Sequence, residues 1–284
     1  MRNVRLGELV LGVEGVALMR HLLRGTDEQI ASRVAEIVKF SSELEAEPLS
    51  LGLPLPEVGV PEGYGAWAET YDRPGNPLIY LEEPVMREIL GALPAGTALD
   101  AACGTGRHTE LLSRAGHTVV GVDATLEMLE RARAKVPTAT FLQGDLESLP
   151  VDDETMDLAV CSLALTHLER VAVAIEELAR VVRPDGTIIL SDMHPAAALL
   201  LGGAAVFPDK DGNLARVRDH LHLISEYVQA FIDTGLKIVD CREVLNTLET
   251  AKMQAFSYPI APQATAEALV GIPFALIWRL EKAA

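Results

Sequence analysis

Apolar residues recur at helical spacing from Leu6 to Leu23, through Leu9, Val10, Val13, Val16 and Ala17, and Gly25 follows as a stop. The pattern predicts one amphipathic helix. Thr26 and Gln29 then have capping-box spacing, a hydroxyl for a free N–H with an amide three residues on, which predicts a second helix to about Leu44. Pro48, Pro54, Pro56 and Pro61 alternate with Gly52, Gly59 and Gly63 and deny continuity to helix and sheet alike, so a linker is expected. Residues 1–60 read as a helical hairpin with its linker and residues 61–284 as the main domain.

An aromatic segment, Tyr64 to Tyr80, leads to a helix predicted over about Leu81 to Leu93 with Pro84 in its first turn. The period then changes. Thr97–Ala101, Thr118–Val122, Ala139–Leu142, Leu158–Cys161 and Thr187–Leu190 are short apolar runs bounded by turn residues, and helical patterns at 106–115, 125–135 and 168–182 separate most of them. Such alternation predicts an α/β, doubly wound, mostly parallel sheet, whose strands are apolar throughout because both faces are covered. A helix near 225–234 and strands near 236–244 and 274–280 complete the pattern.

Composition narrows the function. Apolar residues make up 49% of the 284 and charged residues 23%, which excludes disorder over most of the chain. Acidic residues number 41 against 24 basic, a formal charge of −17 with no cationic cluster, so neither nucleic acid nor an anionic membrane is expected as a partner. The three cysteines lack metal-ligand spacing, so no metal site or disulfide framework is expected. The apolar stretch from Ala196 to Phe207 is well short of the ~20 residues that span a bilayer. With no leader-like N-terminus, a soluble cytoplasmic protein is expected.

The strongest local motif runs from Ala98 through Asp100, Cys103, Gly104 and Gly106 to Thr109, a strand entering a glycine-containing turn before a helix. The glycines let a ligand approach the backbone where a Cβ would block it. A dinucleotide fingerprint would place a third glycine where Thr109 stands, so NAD is the second choice. Asp123 ends the next strand 19 residues after Gly104, where a carboxylate accepts from both hydroxyls of a ribose in either kind of cofactor. Asp145, in Gly144-Asp145-Leu146 after the third strand, is placed to accept from an adenine amino group.

The order Asp-Ala-Ala-Cys-Gly-Thr-Gly, Val-Gly-Val-Asp-Ala-Thr with Met128, then Gln-Gly-Asp-Leu resembles class I S-adenosylmethionine-dependent methyltransferases. Met156 to Leu168 and Leu178 to Thr187 continue the likeness, which is nearest the small-molecule branch that includes the ubiquinone and menaquinone biosynthesis methyltransferases. It spans about Tyr64 to the C-terminus. The resemblance implies a Rossmann-like seven-stranded sheet with its last strand antiparallel and S-adenosylmethionine as cofactor. Implied cofactor contacts are Asp100, Cys103, Gly104 and Gly106 in the first motif, Asp123, Ala124 and Met128 in the second, and Gly144, Asp145 and Leu146 in the third. Ser162 and Leu163 join them, as does Tyr71, since Tyr71-Asp72 matches a Tyr-Asp pair that the family often brings to the methionine part of the cofactor. The Asn-Pro-Pro-Tyr of amino-methylating nucleic-acid enzymes is replaced here by Ser162-Leu-Ala-Leu-Thr-His167.

Of the seven histidines, His194 and His167 follow the fifth and fourth strands, where ligands gather in an open α/β sheet, and they are the candidates for a general base and for acceptor contact. His194 ranks first, because Pro195 favours an extended backbone there. Tyr64 and Trp67 are candidate walls of the acceptor site, excluding water and orienting a substrate. The expected activity is methyl transfer from S-adenosylmethionine to O, N or C of a small-molecule acceptor. The alternatives are a protein that holds the cofactor without transferring methyl and an NAD-dependent oxidoreductase. The N-terminal hairpin is expected to serve as a lid or a homodimer contact, since its apolar stripe must be covered.

Overall fold

In this computed structural model, which describes residues 2–208 and 211–283, the chain divides into two units. The first comprises residues 1–57, 75–81 and 245–272, and the second residues 58–74, 82–244 and 273–284. Among the described residues no helix is long and apolar enough to cross a membrane.

In the first unit β1 (Arg2–Arg5) runs into α1 (Leu6–His21), which packs against α2 (Asp27–Ser42). The capping box forms: the Thr26 hydroxyl accepts the Gln29 N–H at 3.2 Å, and the Gln29 side chain accepts the Thr26 N–H at 2.9 Å. The proline-rich stretch is more than a link, because β2 (Gly52–Leu55) pairs antiparallel with β1. A two-stranded ribbon is all edge, so Pro54 can lack an N–H without breaking a ladder. Two further helices, α10 (Leu248–Lys252) and α11 (Pro262–Leu269), belong to this unit although they lie far away in sequence. Arg20 donates to the Ala268 and Val270 carbonyls at 2.8 and 2.9 Å, satisfying acceptors that the end of α11 leaves open. Contrary to the expected amphipathic pattern, α1 is apolar nearly all round, with Val10, Glu14 and Ala17 buried, so its sequence does not say which face a distant segment covers.

The second unit starts with α3 (Val60–Trp67). The next helix, α4 (Pro77–Gly91), starts at Pro77 rather than Leu81, which puts Pro84 inside it and leaves the Tyr80 carbonyl without its helical donor. The sheet holds β3 (Thr97–Ala101), β4 (Thr118–Asp123), β5 (Thr140–Gln143), β6 (Met156–Ser162), β7 (Val182–Met193), β10 (Leu236–Leu245) and β11 (Pro273–Lys282). Its order is β10-β11-β7-β6-β3-β4-β5, with β7 to β5 parallel and β11 antiparallel to β7, as the family resemblance implied.

Side chains alternate between the two faces. Leu99, Ala159, Cys161 and Ile188 meet Ile175 and Leu178 of α7 (Val171–Val181) and Tyr227 and Phe231 of α9 (Ile224–Asp233). Ala98, Leu158, Val160 and Ile189 meet Met86 and Leu90 of α4 and Leu112 of α5 (Arg107–Arg114). A further helix, α6 (Leu126–Lys135), follows β4. The apolar stretch from Ala196 to Phe207 splits into α8 (Pro195–Leu201) and β8 (Ala204–Pro208), which pairs with β9 (Leu214–Arg218). Gly202 at φ +84° ends the helix, and that break separates the two elements.

Gly106 caps α5 at φ +82°, and a Cβ there would stand 3.2 Å from Ala132 of α6. Gly106→Ala is therefore expected to lose about 1–2 kcal/mol from the left-handed backbone alone. A thermal midpoint equal to that of the wild type would show that the turn relaxes freely.

Candidate active site

Strand order reverses at β3: β4 and β5 lie on one side of it, β6 and β7 on the other. Ligands of open α/β sheets bind outside the carboxyl ends of the strands at such a reversal. A cleft of about 280 Å³ opens there. Ala102 and Gly104 line it after β3, and Asp123, Ala124 and Thr125 at the end of β4. Gly144, Asp145 and Leu146 follow β5, while Ser162 ends β6 and Leu163 and His167 follow it. Tyr64 on α3 and Tyr71 beyond it close another side.

The backbone is bent to make this wall. Gly104 has φ +53° with open space where a Cβ would be, and the non-glycine residues Ala102 and Leu163 also lie in the left-handed region. Strain of that kind concentrates at ligand sites. The Gly104 and Thr125 N–H groups each donate to a different Asp123 oxygen at 2.8 Å, which fixes the carboxylate at the cleft wall. Burial pushes the Asp123 carboxyl up, and these two backbone donors oppose the rise.

Several candidate residues support the cleft from outside its lining. Asp100 is buried and accepts the Thr109 hydroxyl at 2.6 Å, so the place of a third glycine is taken by a side chain that ties α5 to β3. The Cys103 thiol is packed beside Gly121, and its pKa is driven up first by burial. Met128 is buried on α6, and Gly106 shapes the turn. Trp67 stacks on Phe207 with ring centroids 4.8 Å apart and meets Tyr71 edge-on at 4.9 Å. Asp72 accepts from the Thr105 hydroxyl at 2.7 Å and from Lys135 at 2.8 Å, joining the Tyr-Asp pair to the glycine turn.

The two histidines separate. His194 is absent from the cleft lining: its Nδ1 accepts the Ala196 N–H at 3.1 Å as the cap of α8, and its Nε2 donates to Glu243 at 2.9 Å. The extended backbone that Pro195 favours is here the backbone of a helix cap. His167 lines the cleft and bonds the Tyr64 hydroxyl through Nε2 at 2.6 Å.

Sequence reasoning missed Glu82, fully buried on α4 beneath this wall. It accepts from Arg107 at 2.7 Å, His108 at 3.1 Å, Ser162 at 2.9 Å and Ser191 at 2.7 Å. It also missed Asp219, beside His167. Neither sits in a motif, and both meet partners distant along the chain.

Residues 99–190 match the family described as a methyltransferase domain. The chain is 31% identical over 137 residues to a malonyl-[acyl-carrier protein] O-methyltransferase from Pectobacterium atrosepticum, covering 47% of this chain and 53% of that protein. It is 33% identical over 109 residues to a demethylmenaquinone methyltransferase from Renibacterium salmoninarum, covering 38% and 46%. The chain thus spans about half the length of these curated relatives. An S-adenosylmethionine-dependent methyltransferase from Mesorhizobium loti shares the fold with a TM-score of 0.53 at 23% identity, over 71% of this chain and 98% of that one. The chain has the class I methyltransferase fold, and its residues 99–190 are similar to a methyltransferase domain. The [4+2]-cyclase SpnF shares the fold as well, with a TM-score of 0.56 at 18% identity over 81% of this chain and 99% of that one. Chemistry on this methyltransferase fold must therefore be argued from the site.

S-adenosylmethionine fits the cleft. Asp123 retains lone pairs for a ribose diol after taking its two backbone donors, Gly104 leaves its Cβ position open, and Asp145 lies at the end of β5. Asp123 and Asp145 line the cleft, whereas no Lys or Arg does so among the described residues. That suits a sulfonium cation and disfavours the diphosphate of NAD.

Proposed function

We propose that this domain transfers a methyl group from S-adenosylmethionine to a small, partly apolar acceptor. The observation that carries the reading is the Asp123 carboxylate, fixed by the glycine turn at the wall of an acidic cleft outside the strand ends. When bound, the cofactor supplies an electrophilic methyl group and retains the C–S electron pair on sulfur. Asp123 would hold the ribose, Asp145 the adenine amino group, and the Gly104 and Leu163 turns the flat and aliphatic parts. Tyr64 and Tyr71 would exclude water and orient the acceptor. His167, which faces the cleft, takes the role of base ahead of His194. The names of the relatives, a malonyl-[acyl-carrier protein] O-methyltransferase and a demethylmenaquinone methyltransferase, support methylation of small or carrier-bound acceptors.

Residues 61–284 are proposed to hold this activity, with residues 1–60 as an appendage. A nucleic-acid acceptor is set aside on the −17 charge, and the cytoplasm is proposed because all three cysteines are free thiols. Met19, Leu23 and Val38 are exposed on the N-terminal helices and their connection, which supports a homodimer contact there. Sedimentation of a Leu23→Glu/Val38→Glu protein tests that contact, since an unchanged oligomeric state would dismiss it.

The main test is calorimetry with S-adenosylhomocysteine and with NAD, followed by mass detection of methylated products from an acceptor panel. Saturable binding of S-adenosylhomocysteine with product formation is expected. Tighter binding of NAD would overturn the cofactor, and cofactor binding without any product would leave a binding protein or another reaction type.

A further inference from the structure

Behind the cleft wall stands a row of three side chains that a cofactor does not require. Tyr64 faces the cleft, its hydroxyl lies 2.6 Å from His167 Nε2, and His167 Nδ1 lies 3.2 Å from Asp219 Oδ1. Nδ1 donates to the Arg218 carbonyl at 3.5 Å, while the buried Asp219 Oδ1 has no hydrogen-bond partner among the described residues and stands beside the ring as a charge. A carboxylate and a carbonyl only accept, so Nδ1 carries the ring proton and Nε2 offers its lone pair. Tyr64 therefore donates to Nε2. Burial raises the Tyr64 pKa well above the usual phenol value, so the hydroxyl stays protonated at rest. Asp219, just beyond β9, is only 3% exposed.

We propose that Tyr64, His167 and Asp219 form a proton relay for a neutral acceptor bearing a weakly acidic hydroxyl, a phenol or an enol. The proposal rests on the methyl-transfer reading given above. As the acceptor oxygen attacks, its proton passes to the Tyr64 oxygen while the Tyr64 proton passes to His167 Nε2. The electron pair left on the acceptor oxygen forms the O–CH₃ bond, and the C–S pair stays on sulfur. The Arg218 carbonyl holds the ring tautomer, and Asp219 balances the imidazolium charge, which makes it a positioning residue. After the product leaves, the imidazolium returns its proton through Tyr64 to water.

Charge and proton inventory select the acceptor class. A carboxylate has no proton to surrender at neutral pH and would enter a cleft lined by Asp123 and Asp145, with no Lys or Arg in its lining among the described residues. A neutral amine attacks with its own lone pair and sheds its proton afterwards. A hydroxyl gains most from a base in the transition state. Tyr64 and Tyr71 line the cleft, backed by the stacked rings of Trp67 and Phe207, and offer a flat partner for an aromatic or enolic ring.

The groups facing His167 are Tyr64 from α3, Asp219 after β9 and Asp192 from β7, while His222 reaches the nearby Leu168 carbonyl at 2.9 Å. Burial pushes Asp192 up to about 6, against donors from the Met193 N–H and the Tyr227 hydroxyl. Asp192 therefore titrates where a pH profile is read, and Asp192→Asn serves as the control.

The experiment uses the full chain with S-adenosylmethionine and three acceptors built on one ring: a naphthol, a naphthylamine and a naphthoate. The naphthol should be methylated on oxygen, at a rate that rises with pH. His167→Gln and Tyr64→Phe should each lower kcat by about 10²-fold and flatten the rise. Asp219→Asn should lower kcat about 10-fold and displace the rise, while Asp192→Asn keeps it. Affinity for S-adenosylhomocysteine should hold in every variant. Faster turnover of the naphthoate or the amine, a naphthol left unmethylated by cofactor-loaded protein, or normal kcat in His167→Gln would overturn the relay. Wild-type protein that binds no S-adenosylhomocysteine would instead overturn the methyl-transfer reading beneath it.

Discussion

Asp123→Ala is expected to weaken S-adenosylhomocysteine binding by about 10²-fold or more, because two hydrogen bonds to a charged acceptor are lost at about 1.5–3 kcal/mol each. The carboxylate is already oriented by the Gly104 and Thr125 N–H groups, so a ribose diol meets a fixed acceptor and little ordering is left to oppose binding. Alanine also frees those two donors. Asp123→Asn, which keeps one oxygen for the turn, should therefore lose less affinity than Asp123→Ala while holding its thermal midpoint closer to the wild type. Calorimetry on folded protein decides the matter, and an Asp123→Ala variant with wild-type affinity would remove the ribose from this wall.

Glu82→Ala is expected to cost about 3–5 kcal/mol of stability, the range found when one member of a buried ion pair is removed. Glu82 is fully buried and gathers Arg107, His108, Ser162 and Ser191, so its loss leaves a buried cation and several donors without an acceptor. Burial alone would raise the Glu82 pKa, but the charge and hydrogen bond of His108, then Arg107 and the Ser191 hydroxyl, outweigh it and hold the carboxyl far below its ordinary value. A depressed carboxyl stabilises the fold above that ordinary value, 4.5, and the contribution is lost as pH falls below it toward the folded-state pKa. The gap in urea midpoint between wild type and Glu82→Gln should accordingly be full at neutral pH and shrink below about pH 4.5. A gap that is absent at neutral pH would reduce Glu82 to a filler of space. Because Ser162 lines the cleft, the same variant should also weaken cofactor binding.

Much of the sheet was legible because its signals are local. Strands with both faces covered must be apolar over most of their length, and the run Leu158–Cys161 inside Met156–Ser162 is so patterned. The glycine turn and Asp123 were legible as well, since Gly104, Gly106 and the end of β4 fall within one βα unit and its following strand. Less legible were the start of α4, where Pro84 served as a first-turn marker but lies inside the helix, and the stretch after His194, where Gly202 divides what hydropathy reads as continuous.

By itself the sequence determined the alternation of strands and helices, the turn that admits a ligand to the backbone, and the acidic residue at the end of β4. These depend on the backbone freedom of glycine and on the burial pattern of neighbouring residues, which are properties of a short stretch of chain. Tertiary structure decided the rest. Glu82 meets Ser191 across 109 residues, Asp219 reaches His167 from beyond the β8–β9 ribbon, and the helices of the N-terminal hairpin find α11 more than two hundred residues on. The choice between two histidines turned on the same kind of contact. His194 and His167 follow neighbouring parallel strands, but His194 has both ring nitrogens occupied by Ala196 and Glu243, whereas His167 meets a phenol on the cleft side and a carboxylate behind. A side chain's proton traffic is set by what stands within hydrogen-bond distance of it, and that is fixed only when distant segments fold together.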